Sequence, residues 1–138
     1  MKMNSILFLL LAHLFCFIFS EAGTIRGDTG TLRLTWDEFR TGTRDCGGIT
    51  IKKGFYELDQ NDEWTKVKIK FDITNKTADD KKVKYIISIF DKSQNLIYSA
   101  NDDKELGDFK TEDASSQAKI SSKVVFDPET VYIRIWWE

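Results

Sequence analysis

The 138-residue sequence is poor in the residues on which most enzyme sites depend: it has one histidine, two cysteines and two methionines. His13, Cys16 and both methionines fall within the first 22 residues, which we predict are removed. The chain that remains has no imidazole, which excludes a Ser-His-Asp triad, a Cys-His dyad and a histidine-ligated metal. Its one cysteine, Cys46, cannot form an internal disulfide.

The N-terminal segment has the pattern of a secretory signal peptide. Lys2 gives it a positive start, Ile6–Phe19 is an apolar run, and small residues stand at positions 20 and 22. The run is shorter than the about 20 apolar residues that a transmembrane helix needs. We therefore expect residues 1–22 to be a cleaved signal peptide and residues 23–138 to be a secreted or periplasmic domain, without membrane insertion.

The charge balance excludes one broad class of partner. The sequence has 20 Lys+Arg and 22 Asp+Glu, a formal net charge of −2. A near-neutral chain lacks the basic footprint of a nucleic-acid-binding protein. All four Trp and all four Tyr follow residue 22, so the chain can build an aromatic core without stapling cross-links.

Alternation of apolar and polar residues with period two runs through most of the chain, which predicts β-strands. The clearest run spans residues 66–74, where Val67, Ile69 and Phe71 share one face and lysines occupy the other. Residues 83–90 are apolar on both faces and so predict a central strand. Further strands are predicted over residues 31–36, 49–52, 96–100, 118–126 and 131–137, and a polar loop over residues 101–116 with Leu106 and Phe109 tucked in.

These segments predict an all-β fold of about seven antiparallel strands, packed as an immunoglobulin-like β-sandwich. No convincing helical period is present. The paired cysteines of true immunoglobulin domains are absent, so only the architecture is predicted.

One stretch also resembles a known type of module. The texts VKIKFDITNKT, VKYIISIFD and NLIYSA, from Val67 to Ala100, resemble secreted bacterial FxLYD-like and related immunoglobulin-like domains. The usual glycine of the second turn is missing, and residues 91–95 read DKSQN instead. The resemblance implies a non-catalytic extracellular or envelope module and carries no binding residues across.

The last strand holds the best candidate binding surface. Val131, Ile133, Ile135 and Trp137 share one face, and the opposite face carries Tyr132, Arg134 and Trp136. If the first set is core, the second forms an exposed aromatic-plus-arginine patch, a composition that suits a protein hot spot or sugar stacking. The alternative is that both faces are covered, with Trp136 under a neighbouring loop.

Acidic residues provide the remaining candidates for chemistry. Asn101, Asp103 and Glu105 place oxygen ligands at alternate positions, but Leu106 stands where a calcium loop has glycine, so calcium is a weak candidate and no cofactor is expected. Carboxylates between residues 101 and 113 could pair as in a glycosidase, but loop carboxylates are normally only solvated.

Two further positions are singled out. Asn75-Lys76-Thr77 is a glycosylation acceptor in a predicted turn, with a structural turn asparagine as the alternative. Cys46 precedes two glycines and is predicted to be a free thiol, with a disulfide-linked dimer as the alternative to a monomer.

The sequence thus predicts a monomeric binding module that contacts a protein or glycan partner through a sheet face or loops, such as a small inhibitor or accessory subunit. The alternatives are a carbohydrate-binding module and a small carboxylate-dependent hydrolase.

Overall fold

Residues 27–138, described by a computed structural model, form two antiparallel four-stranded sheets packed face to face. Sheet A has the strand order β1-β8-β5-β6, and sheet B has the order β2-β3-β4-β7. The prediction of an antiparallel β-sandwich is confirmed, with eight strands in this part of the chain. The strands are β1 (Gly27–Thr35), β2 (Thr43–Cys46), β3 (Ile49–Gln60), β4 (Trp64–Asn75), β5 (Lys81–Phe90), β6 (Leu96–Leu106), β7 (Thr111–Ser121) and β8 (Thr130–Trp137).

The core lies between the sheets and is built by the predicted alternation. On β4, β5 and β8 every second side chain points inward, and full burial of each large apolar side chain contributes about 1.5–3 kcal/mol. The prediction that β5 is a central strand is confirmed, since it pairs with both β6 and β8. The buried apolar and aromatic residues of these three strands are Val67, Ile69, Phe71, Ile73, Val83, Tyr85, Ile87, Ile89, Val131, Ile133, Ile135 and Trp137.

A short helix, α1 (Trp36–Thr41), interrupts the alternation after β1. Trp36 was predicted to continue the strand and instead begins this helix, because Thr35 and Glu38 form a capping box. The Glu38 amide donates to Thr35 Oγ1 at 3.0 Å, and Glu38 Oε1 accepts from the Thr35 amide at 2.9 Å. These two bonds satisfy amide groups that the first turn of a helix leaves without partners. Among the described residues, no helix is long and apolar enough to cross a membrane.

Two aromatic side chains, Trp36 and Phe39, pack the inner face of α1 against the sheet, and the Trp36 ring lies 5.5 Å from Tyr56 of β3. Phe39 is buried and contacts Phe71 of β4, with ring centroids 6.1 Å apart. A side chain at Gly54 of β3 would overlap the Phe39 ring. The register of β3 shifts between Lys52 and Phe55, so the strand bends where the helix packs.

The predicted loop over residues 101–116 is wrong. β6 continues to Leu106, β7 begins at Thr111, and only a short turn joins them. Both are edge strands, where charged side chains are normal because they block pairing with other chains. Leu106 is buried as predicted, whereas Phe109 in the turn is exposed.

The strand predicted to reach residue 126 ends earlier, at Ser121. The chain then crosses from sheet B to sheet A over one end of the sandwich. Phe126 closes this end, with its ring 4.8 Å from Tyr56 and 6.4 Å from Tyr98.

Candidate functional site

The outward side chains of β8 lie in the middle of sheet A. β8 pairs with β1 on one side and with β5 on the other, so both flanks of the strand are occupied by backbone. Tyr132 and Trp136 are half-buried and Arg134 is exposed, while their neighbours along the strand point into the core. The predicted division of β8 into a core face and an outer face is therefore confirmed.

Strand pairing brings the three residues into a flat array with side chains of the neighbouring strands. Tyr132 lies opposite Arg33 of β1 and Ser88 of β5, and Arg134 lies opposite Thr31 and Ile86. We call this array the outer face of sheet A. Its members are Thr31, Arg33, Lys84, Ile86, Ser88, Phe90, Ser99, Asn101, Asp103, Tyr132, Arg134 and Trp136.

A guanidinium group lies over each of the two outward aromatic rings of β8, Tyr132 and Trp136. The Arg134 guanidinium carbon lies 5.3 Å from the centroid of the Trp136 ring. The guanidinium carbon of Arg33 lies 5.9 Å from the centroid of the Tyr132 ring, and its Nε donates to the Tyr132 hydroxyl at 3.1 Å. Such cation–π contacts hold a cation over one face of the ring. Arg134 therefore covers part of the Trp136 ring.

Phe90 adds an aromatic corner that the sequence interpretation did not assign to the site. Its ring meets the Tyr132 ring edge to face, with centroids 5.4 Å apart and planes inclined by 77°. The two rings line a cavity of about 260 Å³ together with Ser88 and Gln94. Phe90 falls on the polar side of the β5 alternation, which is the sequence signal for an outward aromatic.

A more polar cavity of about 410 Å³ lies on the other side of Trp136. It is lined by Lys84, Tyr85, Asn101, Asp102, Asp103 and Trp136. Lys84 also pairs with Glu138, at 2.8 Å between Nζ and Oε2. The cavity therefore offers an indole ring beside one ammonium and several oxygen groups.

The calcium interpretation fits this arrangement poorly. Asn101, Asp103 and Glu105 lie on the extended strand β6 and not in a loop. Register places Asp103 opposite Lys84 and Glu105 opposite Lys82, so a cation would meet lysine charge. Among the described residues, no group of three or more His, Cys, Asp or Glu side chains could hold a metal ion.

Asn75 is a structural residue in this fold, and the prediction of an accessible glycosylation acceptor is wrong for the folded chain. Its side chain is 0% exposed. Its Nδ2 donates to the carbonyl oxygens of Asp79 at 2.7 Å and Gly107 at 3.2 Å, and its Oδ1 accepts from the Thr77 amide at 3.0 Å. The amide nitrogen that would carry a glycan thus holds together the turns that follow β4 and β6. The alternative, a turn asparagine, describes what is observed.

Cys46 also differs from its prediction. It lies at the end of β2, is fully buried, and is disulfide-bonded in this structure, so it is not a free thiol. The prediction rested on Cys46 being the one cysteine after residue 22. Cys16 and the signal peptide prediction lie outside the described residues.

The carboxylates considered for hydrolysis are spread over exposed positions. Asp102 and Glu105 lie on β6, Asp108 lies in the turn, and Glu112 and Asp113 begin β7. All five are exposed.

The outer face of sheet B has a different character. Lys66, Lys68 and Lys70 alternate along β4, as predicted. Lys70 pairs with Glu57 at 3.5 Å, and Lys119 lies over the Trp64 ring at 4.4 Å from its centroid. Phe55 of β3 also lies on this face, 44% exposed, with Lys70 Nζ 5.4 Å from its ring centroid. Lys68 lies on the same face and offers a control position.

Comparison with known proteins gives no sequence family. No protein-family model matches the sequence, and no curated protein matches it. Among solved structures, a β-glucuronidase from glycoside hydrolase family 2 is similar over 52% of this chain and 8% of its own, at 11% identity and a TM-score of 0.46. A DUF1425 family member from Shewanella sp. pv-4 is similar over 70% of this chain and 85% of its own, at 9% identity and a TM-score of 0.38.

This chain therefore spans about 8% of the length of that glucuronidase. At such identities and TM-scores, the two similarities carry no argument about activity or partners. The β-sandwich itself follows from the strand pairing described above.

Proposed function

We propose that this protein is a secreted or periplasmic, non-catalytic binding module that contacts a partner protein through the outer face of sheet A. Tyr132, Arg134 and Trp136 form the centre of the contact surface. The proposal covers a small inhibitor or an accessory subunit acting as a monomer without a cofactor. The resemblance of residues 67–100 to FxLYD-like modules supports the same class of function.

The observation that carries the proposal is the pair of guanidinium groups lying over the rings of Tyr132 and Trp136. Tyrosine, tryptophan and arginine are the residues most enriched at the energetic centres of protein interfaces. Here they stand on a central strand, whose position is fixed by two neighbouring strands. A surface held in this way loses little conformational entropy when a partner binds.

The same contacts favour a protein over a glycan. A sugar stacks on an open aromatic face, and a guanidinium already lies over one face of each ring. The glycan alternative is supported by a different observation, the cavity where Asn101 and Asp103 stand beside Trp136. A carbohydrate-binding module would use that cavity.

A pull-down from the secreted proteins of the native organism tests the proposal. The bait is protein purified after expression of the full chain, compared with Trp136→Ala and with Lys68→Ala on the outer face of sheet B. We expect a partner protein that binds the wild type and Lys68→Ala and is lost with Trp136→Ala. A partner that binds all three baits equally would refute the proposed surface.

Two further assays separate the alternatives. Glycan-array binding that Trp136→Ala abolishes, with the fold intact, would indicate a carbohydrate-binding module. Turnover of a glycoside that Asp102→Asn or Asp103→Asn abolishes would indicate a hydrolase.

A further inference from the structure

We propose that the corner formed by Phe90 and Tyr132 is the anchor point of the partner, and that it takes an apolar side chain lying next to a carboxylate. This inference rests on the proposed function and names the chemistry that the outer face of sheet A recognises. The occupant is a segment of a partner polypeptide in which an acidic residue adjoins a large apolar residue.

The apolar half of the site is the cavity of about 260 Å³. Its apolar walls are the edge-to-face rings of Phe90 and Tyr132. Leu96, the cross-strand neighbour of Phe90, is 56% exposed. Buried apolar or aromatic side chains that fill such pockets supply most of the energy of many interfaces. The cavity is of the size that holds one side chain and not an extended ligand.

The rim of the cavity is held in place by a tight turn. The Asp91 carboxylate accepts from the amides of Ser93 and Asn95, both at 2.9 Å, and the Gln94 amide donates to the Asp91 carbonyl at 3.0 Å. Gln94 itself has φ of 66°, in the left-handed region. Backbone held in that region by its surroundings is frequent at ligand-binding positions.

The charged half of the site is Arg33. Its Nε donates a hydrogen bond to the Tyr132 hydroxyl. Arg33 makes no ion pair with the residues that the structure describes. The two terminal nitrogens of the guanidinium therefore remain for a ligand. A planar guanidinium binds a carboxylate through two parallel hydrogen bonds, which makes an acidic group its best-matched partner.

The two halves are joined by one side chain. Tyr132 contacts Arg33 at its hydroxyl end and Phe90 at its ring, so the carboxylate and the apolar group of a ligand would lie within one residue of each other. A ligand must therefore present its acidic and apolar groups side by side, and acidic charge alone is not sufficient.

A phage-displayed library of random heptapeptides, selected on protein purified after expression of the full chain, tests the inference. The selected peptides are then tested for binding to three variants: Arg33→Gln, Ser88→Leu and the sheet B control Lys68→Gln. Ser88→Leu places a larger side chain into the cavity. We expect enriched peptides to share an apolar residue adjoining Asp or Glu. Their Kd should rise roughly tenfold or more with Arg33→Gln and with Ser88→Leu, and stay unchanged with Lys68→Gln.

Enrichment of peptides without an acidic residue, or binding unchanged by Arg33→Gln and Ser88→Leu, would overturn the inference, and so would a library that yields no binders. Peptides that lose affinity with Trp136→Ala alone would overturn the anchor and leave the proposed surface standing. Circular dichroism of each variant confirms that the strands remain folded.

Discussion

The hydroxyl groups of Tyr98 and Ser116 lie 2.6 Å apart and join β6 of sheet A to β7 of sheet B. Close by, the Tyr85 hydroxyl donates to the Ser115 carbonyl of β7 at 2.7 Å. Two inward tyrosines of sheet A thus reach across the sandwich and satisfy groups on an edge strand of sheet B. This side of the sandwich is closed by side chains and not by backbone pairing.

These contacts predict loss of stability at alkaline pH. Burial raises the pKa of Tyr98 from about 10 to about 12 and also raises the pKa of Tyr85. Between these two values the unfolded chain releases the Tyr98 proton more readily than the folded chain, so the free energy of unfolding falls as pH rises. Urea unfolding across this range should show that slope, and Tyr98→Phe should reduce it. An unchanged slope in Tyr98→Phe would refute the assignment.

The capping box of α1 predicts a second effect. Thr35→Ala should lower the free energy of unfolding by about 1 kcal/mol, and Thr35→Ser should retain most of it. Hydrogen bonding to the Thr35 amide, followed by the charge of Arg44, lowers the pKa of Glu38 below 4.5. The stabilisation is therefore present above this value and is lost as pH falls through the lowered pKa. Glu38→Gln keeps an oxygen that can accept from the Thr35 amide but removes the titrating carboxylate. Urea unfolding at several pH values should therefore show a weaker loss of stability at acid pH in this variant.

The contact between α1 and β3 predicts that Gly54 tolerates no side chain. A methyl group there would overlap the Phe39 ring, so Gly54→Ala should cost roughly 1–3 kcal/mol of unfolding free energy. Gly107→Ala is the control, because the nearest atom is the flexible Lys110 Cγ at 3.1 Å. Adding Phe39→Leu to Gly54→Ala should cost less than the sum of the single changes. Additive costs, measured by thermal or chemical unfolding, would contradict this packing.

Among single substitutions of polar residues, we expect those at Asn75 to lower the free energy of unfolding most. Asn75→Ala removes the hydrogen bonds of this buried amide to the Asp79 and Gly107 carbonyl oxygens and to the Thr77 amide, at a cost of about 1–3 kcal/mol. Asn75→Asp should cost more because it buries a carboxylate beside carbonyl oxygens. Lys76→Ala is the control, since it removes only an exposed ion pair with Asp45 at 3.5 Å. If Asn75→Asp unfolds at the same urea concentration as Lys76→Ala, the hydrogen-bonding role is wrong.

Alternation was sufficient to predict the β-sandwich, because each of its central strands buries one face. Val67 to Ile73 and Val131 to Trp137 show this directly, and their inward residues are buried. The same rule failed over residues 101–116, where edge strands carry charge on both faces and read as a loop. It also failed at Trp36, because a six-residue helix is too short to show a period. Its capping box was the available signal.

The candidate site was predicted in part for the same reason. The outward set Tyr132, Arg134 and Trp136 follows from alternation along one strand. Arg33 and Phe90 join it only through pairing with β1 and β5, and register between distant strands is not written in either strand alone. The burial of Asn75 likewise depends on carbonyl groups that β6 brings to it from residues 106 and 107.

Site-specific photocrosslinking in the native organism tests most directly whether the outer face of sheet A meets a partner. A photoreactive residue replaces Ser99, exposed on β6 of sheet A, or Gln117, exposed on β7 of sheet B, so that two edge strands are compared. We expect a discrete protein adduct from position 99 that Trp136→Ala removes, and none from position 117. An adduct from position 117 alone, or from neither position, would contradict the account.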